Sequence, residues 1–159
     1  MSHARSQYEE FKALAPDAYD TVLALGKIAA KAGIDKQLLE LIKLRASQIN
    51  GCAFCVQHHI LLGESLGIPV DKLNLLVVWR EAPLFSPRER AALAWTEALT
   101  LLPGGVSDEV YAGARAAFSE KELLYLTSAI ASINVWNRFG AGYRWTPAAR
   151  QEAVAAAAS

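Results

Sequence analysis

The chain has 159 residues, the length of one ordinary domain, and is 53% hydrophobic. Lys plus Arg and Asp plus Glu are both 16, so no basic field exists to hold nucleic acid or an anionic membrane surface. No apolar leader is visible, and runs such as Leu75-Leu76-Val77-Val78-Trp79 are too short to span a bilayer. A cytoplasmic protein without membrane contact is expected. A chain this short has limited interior for its apolar helical runs, so a subunit interface is expected as well.

The periodicity is helical nearly throughout, and no segment alternates long enough to argue for a strand. The expected class is all-α. Residues 1–15 read as an N-terminal extension. A helix is expected over Pro16 to Ala32, stopped by Gly33. Asp35 then caps a second helix to about Gln48, and Asn50-Gly51 signals a turn. A third helix carries Cys52 and Cys55 and ends near Gly67. Pro69 to Arg80 reads as a short fourth. Ser86-Pro87-Arg88-Glu89 is a capping box with proline at the first helical position, opening a helix to about Thr100. Pro103-Gly104-Gly105 breaks the chain, and Ser107 caps the next helix. Ser119-Glu120-Lys121-Glu122 is a second capping box, opening a long helix through Trp136. An alanine-rich tail covers 148–159. A faint repeat relates Lys36 to Ser47 with Lys121 to Ser132, and Ile49-Asn50 with Ile133-Asn134, which suggests two similar helical hairpins.

The chemistry-bearing residues cluster around the only two cysteines. At about 100° per residue, Cys52, Cys55 and His59 share one helix face, while His58 points away from it toward the periphery. Helical i and i+3 positions stand about 5–6 Å apart at Cα, within disulfide range, so the pair can open and close with little backbone movement. The turn at Asn50-Gly51 sets the cysteines at a helix N-terminus, where free N–H groups favour a thiolate. A thiol of pKa about 8.5 is only about 3% thiolate at pH 7, and a two-unit fall makes it mostly thiolate. Glu40 is a carboxylate in an apolar run. If the helices on either side of Asn50-Gly51 pack antiparallel, Glu40 faces His59. A raised pKa from partial burial would let it exchange a proton near neutrality.

The pattern Glu40, eleven residues, Cys52-x-x-Cys55, three residues, His59 resembles the core motif of the alkylhydroperoxidase-D (AhpD) family within the carboxymuconolactone decarboxylase superfamily. The likeness extends to Leu41–Gly51 before the cysteines, to Trp79-Arg80-Glu81 and Glu89–Trp95, and to Ile133-Asn134-x-Trp136-Asn137-Arg138, covering roughly 16–145. The resemblance implies an AhpD-like helical bundle over 16–147 and a homo-oligomer, trimeric or hexameric. It also implies reduction of hydroperoxides, with an external dithiol or lipoyl-type reductant and no cofactor. By carry-over Cys55 attacks the peroxide, Cys52 resolves, and Glu40 and His59 relay protons. Helix-terminus electrostatics alone would instead favour Cys52 as the more acidic thiol. One position departs from the pattern: peroxidase members carry a histidine just before the second cysteine, where this chain has Phe54.

Other readings of the same residues are open. The alternative for the cysteines is a protein disulfide reductase or a thiol redox sensor without significant peroxidase activity. Superfamily chemistry without thiols, such as decarboxylation, is a third. Zinc binding by Cys52, Cys55, His58 and His59 needs convergence that His58 does not offer on a helix. Haem attachment needs a histidine where Val56 stands. Glu40 has Lys36, Lys43 and Arg45 within pairing distance in sequence. Trp79 and Trp95 read as core or interface, and Trp136, Asn137 and Arg138 as packing and hydrogen bonding.

Overall fold

The structure, a computed structural model, describes residues 4–149. His3 and residues 150–159 of the alanine-rich tail lie outside them. The chain forms helices α1 (Tyr8–Leu14), α2 (Pro16–Lys31), α3 (Lys36–Asn50), α4 (Ala53–Ser65), α5 (Val70–Asn74), α6 (Pro87–Thr100), α7 (Asp108–Ala117) and α8 (Glu120–Tyr143), with single 3-10 turns at Leu75–Val78 and Leu102–Gly104. The all-α class stands. Among the described residues there is no strand, and no helix is long and apolar enough to cross a membrane.

The expected punctuation is where the sequence puts it. Asp35 accepts from Leu38 N–H at 2.9 Å and starts α3. Ser86 and Glu89 exchange backbone bonds at the start of α6, as do Ser119 and Glu122 at the start of α8. Ser107 accepts from Val110 N–H and starts α7. Gly33, Gly51 and Gly67 take positive φ where α2, α3 and α4 end, a conformation that costs glycine little.

Two segments differ from the sequence reading. Residues 69–80 do not form one helix: α5 gives way to a 3-10 turn after Asn74. The buried residues there are Leu73, Leu76 and Trp79. Spaced by three, they lie on one face only if the chain tightens to about three residues per turn. Within residues 1–15, α1 forms a short helix with no buried residue of its own. It contributes its aromatic rings to a neighbouring site.

Helix α3 is the centre of the molecule. Nearly its whole circumference is buried, as a helix surrounded by others requires. One side, with Leu38, Leu39 and Ile42, packs into a core with Trp95, Phe118, Leu126 and Ile130 from α6 to α8. The other side, Leu41 and Leu44, packs with Leu73, Leu76, Trp79, Phe85 and Leu93. Helix α8 lies along α2 and α3. Asn50 and Asn134, matched by the internal repeat, meet at 2.9 Å. Glu97 on α6 accepts from Arg45, Trp79 and Arg80 at 2.8, 2.8 and 2.5 Å. Burial would raise its carboxyl, but these donors outweigh burial and lower it. The three donors tie α3 and the residues just after the 3-10 turn to α6.

Candidate active site

The turn between α3 and α4 builds the site. Gly51 closes α3 in the left-handed conformation (φ 66°), and Cys52 N–H donates back to Ser47 C=O at 3.1 Å. Cys52 then becomes the N-cap of α4, its sulfur accepting from Cys55 N–H at 3.2 Å. The two sulfurs are bonded, with Cα atoms 5.3 Å apart. Cys52 is 1% exposed and Cys55 3%. Cys55, not Cys52, lines a cavity of about 250 Å³.

His59 lies one turn beyond Cys55 on the wall of the same cavity. Its Nδ1 stands 2.6 Å from Glu40 Oε2, which joins α3 to α4 across the hairpin. Glu40 and His59 are 6% and 7% exposed. Of the three bases near Glu40 in sequence, Lys43 pairs with it, Nζ to Oε1 at 2.9 Å, while Arg45 is committed to Glu97 and Gln48.

This arrangement corrects one expectation. Burial does push the Glu40 carboxyl up, but the His59 hydrogen bond and charge, with Lys43, outweigh burial and hold it at about 2. Glu40 is therefore ionised at neutral pH. An ionised carboxylate only accepts, so Nδ1 of His59 carries the hydrogen and Nε2 is the nitrogen that Glu40 leaves free.

His58 sits on the cavity rim with a solvent-exposed edge, its ring stacked on Phe54 at a centroid distance of 6.1 Å. Partial burial first, then repulsion from His59, lowers its pKa. The ring is therefore neutral at neutral pH. Among the described residues no group of three or more His, Cys, Asp or Glu converges on a metal-sized space.

Four residues of the site were not singled out for it in the sequence. Tyr8, Trp136 and Trp145 join Phe54 in an aromatic wall of the cavity. Trp136, read as packing, faces the cavity with that group. Phe54 stands 5.1 Å from Tyr8 and 5.4 Å from Trp145, ring centre to ring centre. Arg144 turns left-handed (φ 53°) at the end of α8 and folds Trp145 back, with Trp145 N–H bonded to Gly140 C=O at 3.0 Å. Trp145 Nε1 donates to Ser6 C=O at 3.1 Å, tying the segment before α1 to the site. The fourth residue is Gly140. A Cβ there would lie 2.4 Å from Cys52 Sγ and 3.1 Å from Cys55 Sγ. The backbone of α8 thus covers the disulfide directly, and only glycine permits it. A glycine inside a helix, at a cost of about 0.5–1 kcal/mol, was the available sequence signal.

Comparison with known proteins agrees with this architecture. The sequence pattern of the carboxymuconolactone decarboxylase family matches residues 16–98. The uncharacterised protein YdfG of Bacillus subtilis is 36% identical over 139 residues, covering 87% of this chain and 92% of that protein. The uncharacterised protein YnjA of Escherichia coli is 34% identical over 110 residues, 69% of this chain and 60% of that one. Among solved structures, ATU0492 of Agrobacterium tumefaciens, a protein of unknown function that carries the name of the antioxidant defence protein AhpD, superposes with a TM-score of 0.85. It is 38% identical and covers 93% of this chain and all of that one. The debrominase Bmp8 shares the fold at 20% identity and a TM-score of 0.79, over 92% of this chain and 79% of its own. One fold therefore carries more than one named chemistry. A family pattern over half the chain, a relative matched along nearly its whole length and a shared helical architecture lead to one assignment: the chain belongs to the carboxymuconolactone decarboxylase family, on its AhpD-like side.

Proposed function

We propose that the protein reduces organic hydroperoxides with its own thiol pair. The observation that carries this reading is the bonded Cys52–Cys55 pair, with Cys55 opening on a cavity whose wall also holds His59, itself fixed by Glu40 at 2.6 Å. In the reduced enzyme, His59 Nε2 takes the Cys55 proton. The thiolate attacks the outer oxygen of the hydroperoxide, an S–O bond forms and the O–O bond breaks. The departing alkoxide takes a proton from His59 and leaves as an alcohol, and Cys55 is a sulfenic acid. Cys52 attacks that sulfur, the disulfide forms and water leaves. One hydroperoxide and two thiols give one alcohol, one water and one disulfide. An external dithiol, protein-borne or lipoyl-type, resets the pair by exchange.

Two features support Cys55 as the attacking thiol: it lines the cavity, and Cys52 is tucked beneath the backbone of α8. Glu40 acts as a fixed anion that orients His59 rather than as a proton store. The test is stopped-flow oxidation of reduced protein by cumene hydroperoxide. A second-order rate no faster than that of free cysteine rejects the reading.

A second reading, thiol–disulfide exchange without peroxide, draws on Phe54. The neutral ring places an aromatic surface where peroxidase members have a histidine. Trapping of mixed disulfides by Cys52→Ser in the absence of peroxide, with slow cumene hydroperoxide kinetics, favours that alternative.

A further inference from the structure

The cavity beside Cys55 has a neighbour. A second one, of about 210 Å³, lies between α2, α3 and α4 and shares Gly26, Lys27, Lys43 and Leu62 with the first. Gly26 matters at this junction. It lines both spaces, and without a side chain it lets α2 approach α8: a Cβ there would come within 2.9 Å of Ser132 Oγ.

The two spaces differ in chemistry. The first is walled by Phe54, Trp136 and Trp145, with Leu23 and Ile133. The second gathers Lys27, Lys36 and Lys43 around one carboxylate, that of Glu40. Lys43 and His59 already engage that carboxylate on both oxygens. Lys27 and Lys36 are exposed and, among the described residues, form no ion pair. An aromatic-walled chamber that Cys55 lines thus adjoins a neighbour with two ammonium groups that form no ion pair, one of them, Lys27, on the shared wall.

We propose that this second cavity is a subsite for a carboxylate, so that the protein takes an amphipathic hydroperoxide with its apolar body on the aromatic wall and its carboxylate at Lys27 and Lys36. Autoxidation places hydroperoxide groups along unsaturated chains, and a carboxylate is the usual anionic end of such chains. The inference deepens the hydroperoxide reading and rests on it for the reacting group. The subsite itself is tested by binding.

Octanoate and 1-octanol share an apolar body and differ in charge. Each is titrated into the full-length oxidised protein, with tryptophan fluorescence as the signal, since Trp136 and Trp145 line the cavity. Exposed ion pairs are individually weak, so octanoate is expected to bind about tenfold more tightly than octanol. That preference should shrink at about 0.5 M salt and disappear in the double variant K27Q/K36Q. Equal affinities in the wild type, or a preference that survives in K27Q/K36Q, overturn the subsite. Cumene hydroperoxide, which carries no anion, reports on the peroxide chemistry alone. Selection of octanoate by a protein that leaves cumene hydroperoxide unreduced keeps the subsite and rejects the peroxidase.

Discussion

At the scale of single residues, the site depends on four side chains and one missing one. Cys55→Ser should abolish the reaction with peroxide. Cys52→Ser should stop it at the sulfenic acid. Intact-mass analysis after one equivalent of oxidant distinguishes them: the reduced wild type loses about 2 Da, Cys52→Ser gains about 16 Da, and Cys55→Ser is unchanged. Glu40→Gln removes the charge that fixes Nδ1–H of His59. Its expected cost in peroxide turnover is on the order of 10²-fold, with the fold intact by circular dichroism. The same residue sets an acid limit on stability. Its folded pKa is lowered from 4.5 to about 2, so its contribution is present in full above pH 4.5 and is lost as pH falls through about 2. That contribution is on the order of 2–3 kcal/mol. Urea unfolding at pH 5 and pH 3 should show a larger loss for the wild type than for Glu40→Gln. Gly140 gives the clearest sign test. In an unobstructed helix, Gly→Ala stabilises by about 0.5–1 kcal/mol. Here the added Cβ meets Cys52 Sγ, so Gly140→Ala should destabilise the oxidised protein by about 1–3 kcal/mol. Dithiol titration and chemical denaturation, each on oxidised and reduced protein, report the effect, and a stabilised oxidised form rejects the packing argument.

At the scale of elements, boundaries follow local chemistry closely and faces do not. The capping boxes of α6 and α8 and the Asp35 cap of α3 involve atoms three residues apart, so residue order alone locates them. Removing one, as in Ser119→Ala, should cost about 1 kcal/mol by thermal or urea unfolding. Cys52, Cys55 and His59 are legible for the same reason, since helix geometry sets their common face. The antiparallel pairing of α3 and α4 extends that reach to Glu40. The 69–80 segment was less legible. Whether it winds as α or 3-10 depends on which side chains the core of α3 receives, and that core lies outside the segment. Helix α1 was least legible, because a short helix without buried residues has no strong apolar period to read.

At the scale of the whole molecule, chain ends complete the centre. Tyr8 of α1, Trp145 after α8 and Phe54 of α4 meet within about one ring diameter of one another. Arg5 and Gln7 bond to the carbonyl of Gly142 and the N–H of Thr146. Deletion of residues 1–14 should leave the two cores around α3 folded, because none of their residues lies there. It should also open the cavity, with a red-shifted tryptophan emission and faster quenching by acrylamide. Unchanged emission and quenching would separate α1 from the site.

The sequence by itself determined what neighbours in the chain decide: the helical class, the caps, the cysteine pair with its histidine, and the carboxylate placed to face them. The tertiary structure alone decided the charge state of that carboxylate, the roofing of the disulfide by Gly140, the aromatic wall and the basic side chamber. The reason is distance along the chain. Cys52 and Gly140, or Tyr8 and Trp145, become neighbours only after the helices pack, and burial sets the balance of forces on Glu40 only once α4 covers it.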